Sequence, residues 1–146
     1  GLMVKDNKPK VLEYNCRLGD PETQCLMMQL ESDFLQTLID ALDDKNLNLT
    51  WSKKSSMGVV IASGGYPEEY ETNQVIDILE LSGVKLFHAG TKYINDKLLT
   101  NGGRVFSMNA KADDLITCKK IIYSNIKNIK FNNMTFRSDI GEVYES

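Results

Sequence analysis

A chain of 146 residues that is 42% hydrophobic and 25% charged lies in the range of one globular domain or two small ones, which excludes a disordered or fibrous class. Its formal net charge of -3 and pI near 5.2 leave no surplus of positive charge to drive binding to a duplex, so nucleic acid is not an expected partner. No apolar run approaches the ~20 residues of a membrane-spanning helix and no signal peptide opens the chain, so no membrane partner and a cytoplasmic location are expected.

Gly1 to Val4 and Val11 to Leu18 read as two strands separated by KDNKP, whose Asp6-Asn7 and Pro9 supply turn chemistry, and together they predict a hairpin. Because Gly1-Leu2-Met3-Val4 already lies inside an apolar run, we expect the amino end of something larger to be missing. Gly19-Asp20-Pro21 stops the second strand and starts a helix, with Asp20 as cap and Pro21 at the first helical position. Leu26, Leu30, Phe34, Leu38 and Leu42 then recur every four residues and predict one amphipathic helix that ends near Asp43-Asp44-Lys45-Asn46.

Composition changes after residue 46. LNLTW and MGVVIAS read as strands, the second closed by a turn at Gly64-Gly65-Tyr66-Pro67. VKLFHAG is another strand, and LLTNGGRVFSMN reads as a hairpin turning at Asn101-Gly102-Gly103. Leu115, Cys118, Ile122, Ile126 and Ile129 mark a further helix started by Asp113 or Asp114, with Lys119-Lys120 on a solvated face, and FRSDIGEVYES is expected to be irregular.

The chemistry concentrates in VLEYNCRLGDPETQ. A strand alternates its side chains, so Glu13, Asn15 and Arg17 share a polar face opposite Leu12, Tyr14 and Cys16. Glu13 and Asn15 stand roughly 7 Å apart along such a strand, close enough for their oxygens to reach one Mg²⁺, which takes few protein ligands and fills its shell with phosphate and water. Arg17 suits a phosphoryl or carboxyl oxygen. The helix start at residues 20–23 favours an anion, while Asp20 and Glu22 suit an amine or hydroxyl. A solvent-facing strand and a capped helix with surface charges explain the same letters.

Read as a motif, Glu13-x-Asn15-x-Arg17 followed by Gly19-Asp20-Pro21-Glu22-Thr23-Gln24 closely resembles the signature of the phosphoribosylamine-glycine ligase family, the glycinamide ribonucleotide synthetases. GLM, GVVIASGGYP, FHAGT, TNGGRV and FRSDIG resemble its later segments in the same order. The resemblance implies an α+β fold: the last hairpin and helix of an ATP-grasp domain at residues 1–46, then a small β-rich carboxyl-terminal domain with a packed helix at residues 47–146. It implies an enzyme of purine biosynthesis that ligates glycine to 5-phosphoribosylamine through a glycyl phosphate, forming glycinamide ribonucleotide, ADP and phosphate.

By the same resemblance Glu13 and Asn15 would bind Mg²⁺ or Mn²⁺ between the phosphates of the substrate ATP, and Leu12 would wall the adenine. Arg17 would be catalytic, stabilising the transferring group, and Asp20, Pro21 and Glu22 would lie against glycine or phosphoribosylamine. Gly103 and Arg104 would approach a ribose phosphate, although a hairpin turn with an exposed Arg explains them too. The remainder of the same enzyme is the expected partner, and this chain by itself is expected to be an inactive fragment. The rival expectation is a noncatalytic ligand-binding or interaction module.

Cys16, Cys25 and Cys118 are odd in number with no metal-ligand spacing, which argues against a disulfide framework or zinc site. His88, the only histidine, is expected to be a hydrogen-bonded structural residue. Met27-Met28 and Trp51 are expected to pack, and Gly64-Gly65 lacks the Lys-Ser/Thr of a phosphate-binding P-loop.

Overall fold

A computed structural model of the chain describes residues 1–142, so the last four residues of the tail lie outside the described residues. The hairpin forms: β1 (Leu2–Lys5) pairs antiparallel with β2 (Lys8–Val11), Leu2 opposite Val11 and Lys5 opposite Lys8. Asp6 and Asn7 both take positive φ, 51° and 56°, which gives a two-residue turn the twist of its strands and which Asp and Asn tolerate better than most residues.

The second strand ends at Val11 rather than Leu18. A strand persists only where a neighbour completes its ladder, and among the described residues the N–H groups of 13–18 make no backbone hydrogen bond. Glu13, Asn15 and Arg17 are therefore on a loop, and period-two alternation does not place them on one face.

The single helix expected up to residue 46 is two, α1 (Glu22–Gln29) and α2 (Phe34–Leu42). Leu30 turns extended and bridges to Trp51, all that forms of the strand expected in LNLTW. Asp33 then caps α2, its carboxylate accepting from the Gln36 N–H at 2.8 Å. A spacing of four hides such a break, because leucines recur on one face on both sides of it. At the start of α1 the cap position falls on Pro21, without a side-chain hydrogen bond. The Gly19 carbonyl accepts from Thr23 N at 2.8 Å and Oγ1 at 2.5 Å, and Asp20 is free to point elsewhere.

In chain order follow β3 (Ser55–Ser63), β4 (Asp77–Ile78), β5 (Lys85–His88), β6 (Thr91–Ile94), β7 (Lys97–Thr100), β8 (Arg104–Ala112), α3 (Leu115–Ile126), β9 (Ile129–Lys130) and β10 (Met134–Phe136). An antiparallel sheet runs β10-β3-β8-β5, with β6-β7 and β4-β9 as separate two-stranded ladders. LLTNGGRVFSMN is accordingly not a hairpin. β7 turns back on β6 through Asn95-Asp96, at φ of 48° and 58°, whereas β8 pairs with β3 and β5.

Neither Gly102 nor Gly103 has positive φ; what they supply is close approach. A Cβ on Gly103 would stand 2.1 Å from the Tyr66 ring, and a Cβ on Gly90 would stand 2.8 Å from Gly102 Cα.

The ladder register sorts the sheet into two faces. Met57 opposite Ala110, Val59 opposite Met108 and Ile61 opposite Phe106 form one buried face, covered by Cys118, Ile122 and Ile126 of α3. Burial of each large side chain there contributes about 1.5–3 kcal/mol, enough for this layer to dominate the stability of the unit. Asp114 starts α3, accepting from the Thr117 N–H at 2.6 Å, and that bond holds its carboxyl below the ordinary value of 3.8. Ile129 joins the core from β9 rather than from the helix, and Phe136 pairs with Ile61, so the expected irregular tail starts with a strand residue.

The other face presents Gly58, Val60, Ser107 and Asn109 and receives α1. Gly58 makes that contact possible, since a Cβ there would stand 2.4 Å from Asn109 Nδ2 and 3.3 Å from Cys25 Sγ. Asn109 donates to Cys25 Sγ at 3.4 Å and accepts from Ser107 Oγ at 2.7 Å, while Ser56 Oγ donates to the Cys25 carbonyl at 2.9 Å. Burial pushes the Cys25 thiol above its ordinary value. The sheet is thus held between α3 and α1, and α1 brings the acidic loop before it to the edge of the sheet.

Candidate active site

Arg104 owes its direction to an irregularity in the ladder. Phe106 pairs with Ile61, but the next register pair is Arg104 with Ala62, so Val105 is the extra residue of a bulge. By simple alternation Arg104 would share the core face with Phe106. The bulge turns it to the face of Val60 and Ala62, an established use of such irregularities beside functional sites.

From there the guanidinium meets the loop before α1. Its Nη1 donates to the Asp20 carbonyl at 3.1 Å and its Nη2 lies 3.2 Å from Asp20 Oδ2. The other carboxylate oxygen, Oδ1, accepts from Gln24 Nε2 at 3.0 Å. Asp20 and Arg104, 84 residues apart in sequence, are thereby brought together. Gln24 Oε1 is buried and has no hydrogen-bond partner among the described residues, an acceptor left open beside the pair.

The remaining candidates lie along the same loop. Glu22 folds over Gly19, where a Cβ would stand 2.4 Å from Glu22 Oε2, and Pro21 lies between Asp20 and Glu22. Asn15 Nδ2 donates to Glu13 Oε1 at 3.1 Å, so these two side chains do meet although the strand that predicted their meeting does not form. Both are exposed. Leu12 is 63% exposed, tied through its N–H to the Gly1 carbonyl at 2.9 Å, and Arg17 is exposed, with no hydrogen bond to the others among the described residues.

A carboxylate and an amide oxygen fit the partial donor set that Mg²⁺ takes from protein, provided the Asn15 amide turns its oxygen to the same side as Glu13. No group of three or more His, Cys, Asp and Glu side chains able to hold a metal occurs among the described residues.

Beside Arg104 a cleft of about 380 Å³ opens over Val60 and Ala62, walled by Tyr66 and Phe136 and edged by Thr135, Arg104 and Arg137. Arg137 is held by Asp139, Nε to Oδ1 at 2.8 Å, and this pairing keeps the Asp139 carboxyl below 3.8. The sequence reading missed Gln24, Tyr66 and Arg137 as site residues, although all three lie inside strings that carry the family resemblance. His88 lies outside the cleft, its Nδ1 3.0 Å from Thr91 Oγ1 and its ring edge-on to Phe106, a structural arrangement.

An antiparallel sheet between two helices, with an acidic loop and an arginine meeting beside an apolar cleft at its edge, defines a small α+β domain. The chain belongs to the family described as phosphoribosylglycinamide synthetase, C domain, which matches residues 56–143.

Similar whole proteins carry the name phosphoribosylamine-glycine ligase. That of Vibrio vulnificus (strain YJ016) is 43% identical over 97% of this chain and 34% of its own length. That of Escherichia coli (strain K12) is 42% identical over 97% of this chain and 34% of its own length. The crystal structure of phosphoribosylamine-glycine ligase from Thermotoga maritima superposes with a TM-score of 0.84 at 31% identity, over 95% of this chain and 35% of that one. The chain thus spans about a third of the length of the relatives it matches. No helix among the described residues is long and apolar enough to cross a membrane.

Proposed function

We propose that this chain is the carboxyl-terminal part of a phosphoribosylamine-glycine ligase that works in cytoplasmic purine biosynthesis. Its reaction joins glycine to 5-phosphoribosylamine at the expense of ATP through a glycyl phosphate. The observation that carries this reading is the 43% identity over 97% of the chain to a protein of that name. Residues 1–46 are then the end of an ATP-grasp domain, and residues 47–146 the family's terminal domain.

In this reading Glu13 and Asn15 would hold Mg²⁺ or Mn²⁺, and the ion would supply neutralisation of the ATP phosphate charge. Leu12 lies against the adenine. Arg17, exposed and without a hydrogen bond or ion pair among the described residues, offers its guanidinium to the oxygens of the transferring group. The loop at residues 20–22 borders the glycine and phosphoribosylamine site, and Gly103 and Arg104 close its far side.

The rest of the same enzyme packs against the first unit. Leu35 and Leu42 of α2 are 66% and 88% exposed and Leu2 and Val4 of the hairpin 62% and 60%, an apolar surface of the kind that a partner covers.

The test uses the protein of full family length that contains this segment. Incubated with ATP, Mg²⁺, labelled glycine and phosphoribosylamine, it is expected to yield labelled glycinamide ribonucleotide, with no product when either ATP or Mg²⁺ is omitted. Nucleotide binding without product would favour a noncatalytic ligand-binding module and overturn the reading.

A further inference from the structure

We propose that Arg104 is a positioning residue: it fixes the loop at residues 19–22 from the sheet and acts on the reaction through Asp20, rather than by gripping a substrate phosphate. This inference rests on the ligase reading above and changes the role assigned to one of its residues.

The first ground is the pattern of contact. Both terminal nitrogens of the guanidinium go to the same residue, one to the Asp20 carboxylate and one to its backbone carbonyl. A contact to a side chain alone leaves the main chain free to pivot; adding the carbonyl fixes the path of the chain. Gln24 takes the second carboxylate oxygen, so Asp20 is held from β8 on one side and α1 on the other.

The second ground is an asymmetry in anchoring. The Arg104 carbonyl accepts from Gly90 N–H at 2.8 Å, its backbone is paired with Ala62, and the preceding Gly103 is wedged against Tyr66. On the other side, the N–H groups of 13–18 have no backbone hydrogen bond among the described residues. Residues 19–22 themselves are tied to α1 through the Gly19 carbonyl, which accepts from Thr23 N and Oγ1, and Arg104 adds the tie from this loop to the sheet.

The third ground is magnitude. The Arg104 and Asp20 side chains are 39% and 50% exposed, and exposed pairs of this kind contribute little to stability. Displacing a substrate-bearing loop by about 1 Å can instead cost about 100-fold in rate. A contact so weak for the fold and so well placed for the loop matters through geometry.

The test is a double-mutant cycle in the full-length enzyme with Arg104→Met, Asp20→Asn and the pair, plus Arg104→Lys. Arg104→Met is expected to lower kcat by about 30–100-fold while the KM for phosphoribosylamine changes by less than about 3-fold. The double variant should be no more than about 3-fold worse than the worse single one, because both changes act on one element. Arg104→Lys, whose single ammonium reaches the carboxylate but cannot span both oxygens, should recover part of the lost kcat.

A KM raised by about 30-fold or more with kcat retained, or losses that multiply in the double variant, would assign Arg104 directly to the substrate and overturn the inference alone. Should Arg104→Met prove insoluble, Arg104→Lys with Asp20→Asn completes the same cycle. A parent enzyme that forms no glycinamide ribonucleotide would overturn the ligase reading itself.

Discussion

Replacing Gly90 with Ala tests whether close backbone packing sets the position of Arg104. Gly90 donates its N–H to the Arg104 carbonyl at 2.8 Å and accepts from Asn101 N–H at 2.7 Å. A Cβ at this position would stand 2.7 Å from the Arg104 oxygen, 2.8 Å from Gly102 Cα and 2.9 Å from Gly102 N. Unstrained contacts with carbon begin near ~3.5 Å, so the two segments must separate by about 0.7 Å.

All three neighbours of that Cβ are backbone atoms, and none can rotate away. Overpacking of this kind costs about 1–3 kcal/mol, and weakening one or two hydrogen bonds adds about 1 kcal/mol, for a total of about 2–4 kcal/mol. Urea unfolding followed by far-ultraviolet circular dichroism should register this as a lower midpoint at unchanged slope. Gly102→Ala is the internal control: its nearest contact would be 3.2 Å, and relief takes a few tenths of an ångström, so it should cost less than Gly90→Ala. A Gly90→Ala loss below about 0.5 kcal/mol, or a larger loss for Gly102→Ala, would refute the reasoning.

Ile122, fully buried between α3 and the sheet, should lose about 2–5 kcal/mol of stability as Ala, measured in the same unfolding assay. In the full-length enzyme Glu13→Gln should lower ligase activity far more than His88→Gln, and shift the Mg²⁺ dependence to higher concentration; equal activity of Glu13→Gln and the parent would remove Glu13 from the proposed metal site. Asp114 is held below its ordinary carboxyl value by its bond to the Thr117 N–H. Its contribution to stability is therefore fully present above the ordinary value of 3.8 and disappears as pH falls through the lowered folded value. Asp114→Asn should keep the cap while making acid unfolding less steep; an unchanged pH profile would contradict that linkage.

Local rules read best where the chain makes its own partners. Asp6-Asn7, MGVVIAS, VKLFHAG and the start of the Asp114-capped helix form as predicted, because turn chemistry, β-branched runs and caps act over a few residues, although Ile129 falls in β9 rather than in that helix. The errors came where the outcome depends on a distant neighbour. Residues 12–18 alternate like a strand but have no ladder to join, and Leu26 to Leu42 keep their spacing across a break created by Trp51 and Asp33.

The site shows the same division. The signature string marked Asp20 and the GGR string marked Arg104, yet their contact follows from a bulge at Val105 that no periodicity announces. Gly102 and Gly103 were read as turn residues because glycine permits positive φ. Their use here is the absence of a side chain against Gly90 and Tyr66, a need set by the tertiary structure.

The most direct measurement of the central claim follows an oxygen atom. With glycine labelled by ¹⁸O in its carboxylate, ATP and phosphoribosylamine, the full-length enzyme should release inorganic phosphate carrying one labelled oxygen for each glycinamide ribonucleotide formed, because in the proposed reaction the amine displaces phosphate from a glycyl phosphate. Phosphate released without label, at a rate equal to product formation, would contradict transfer through that intermediate.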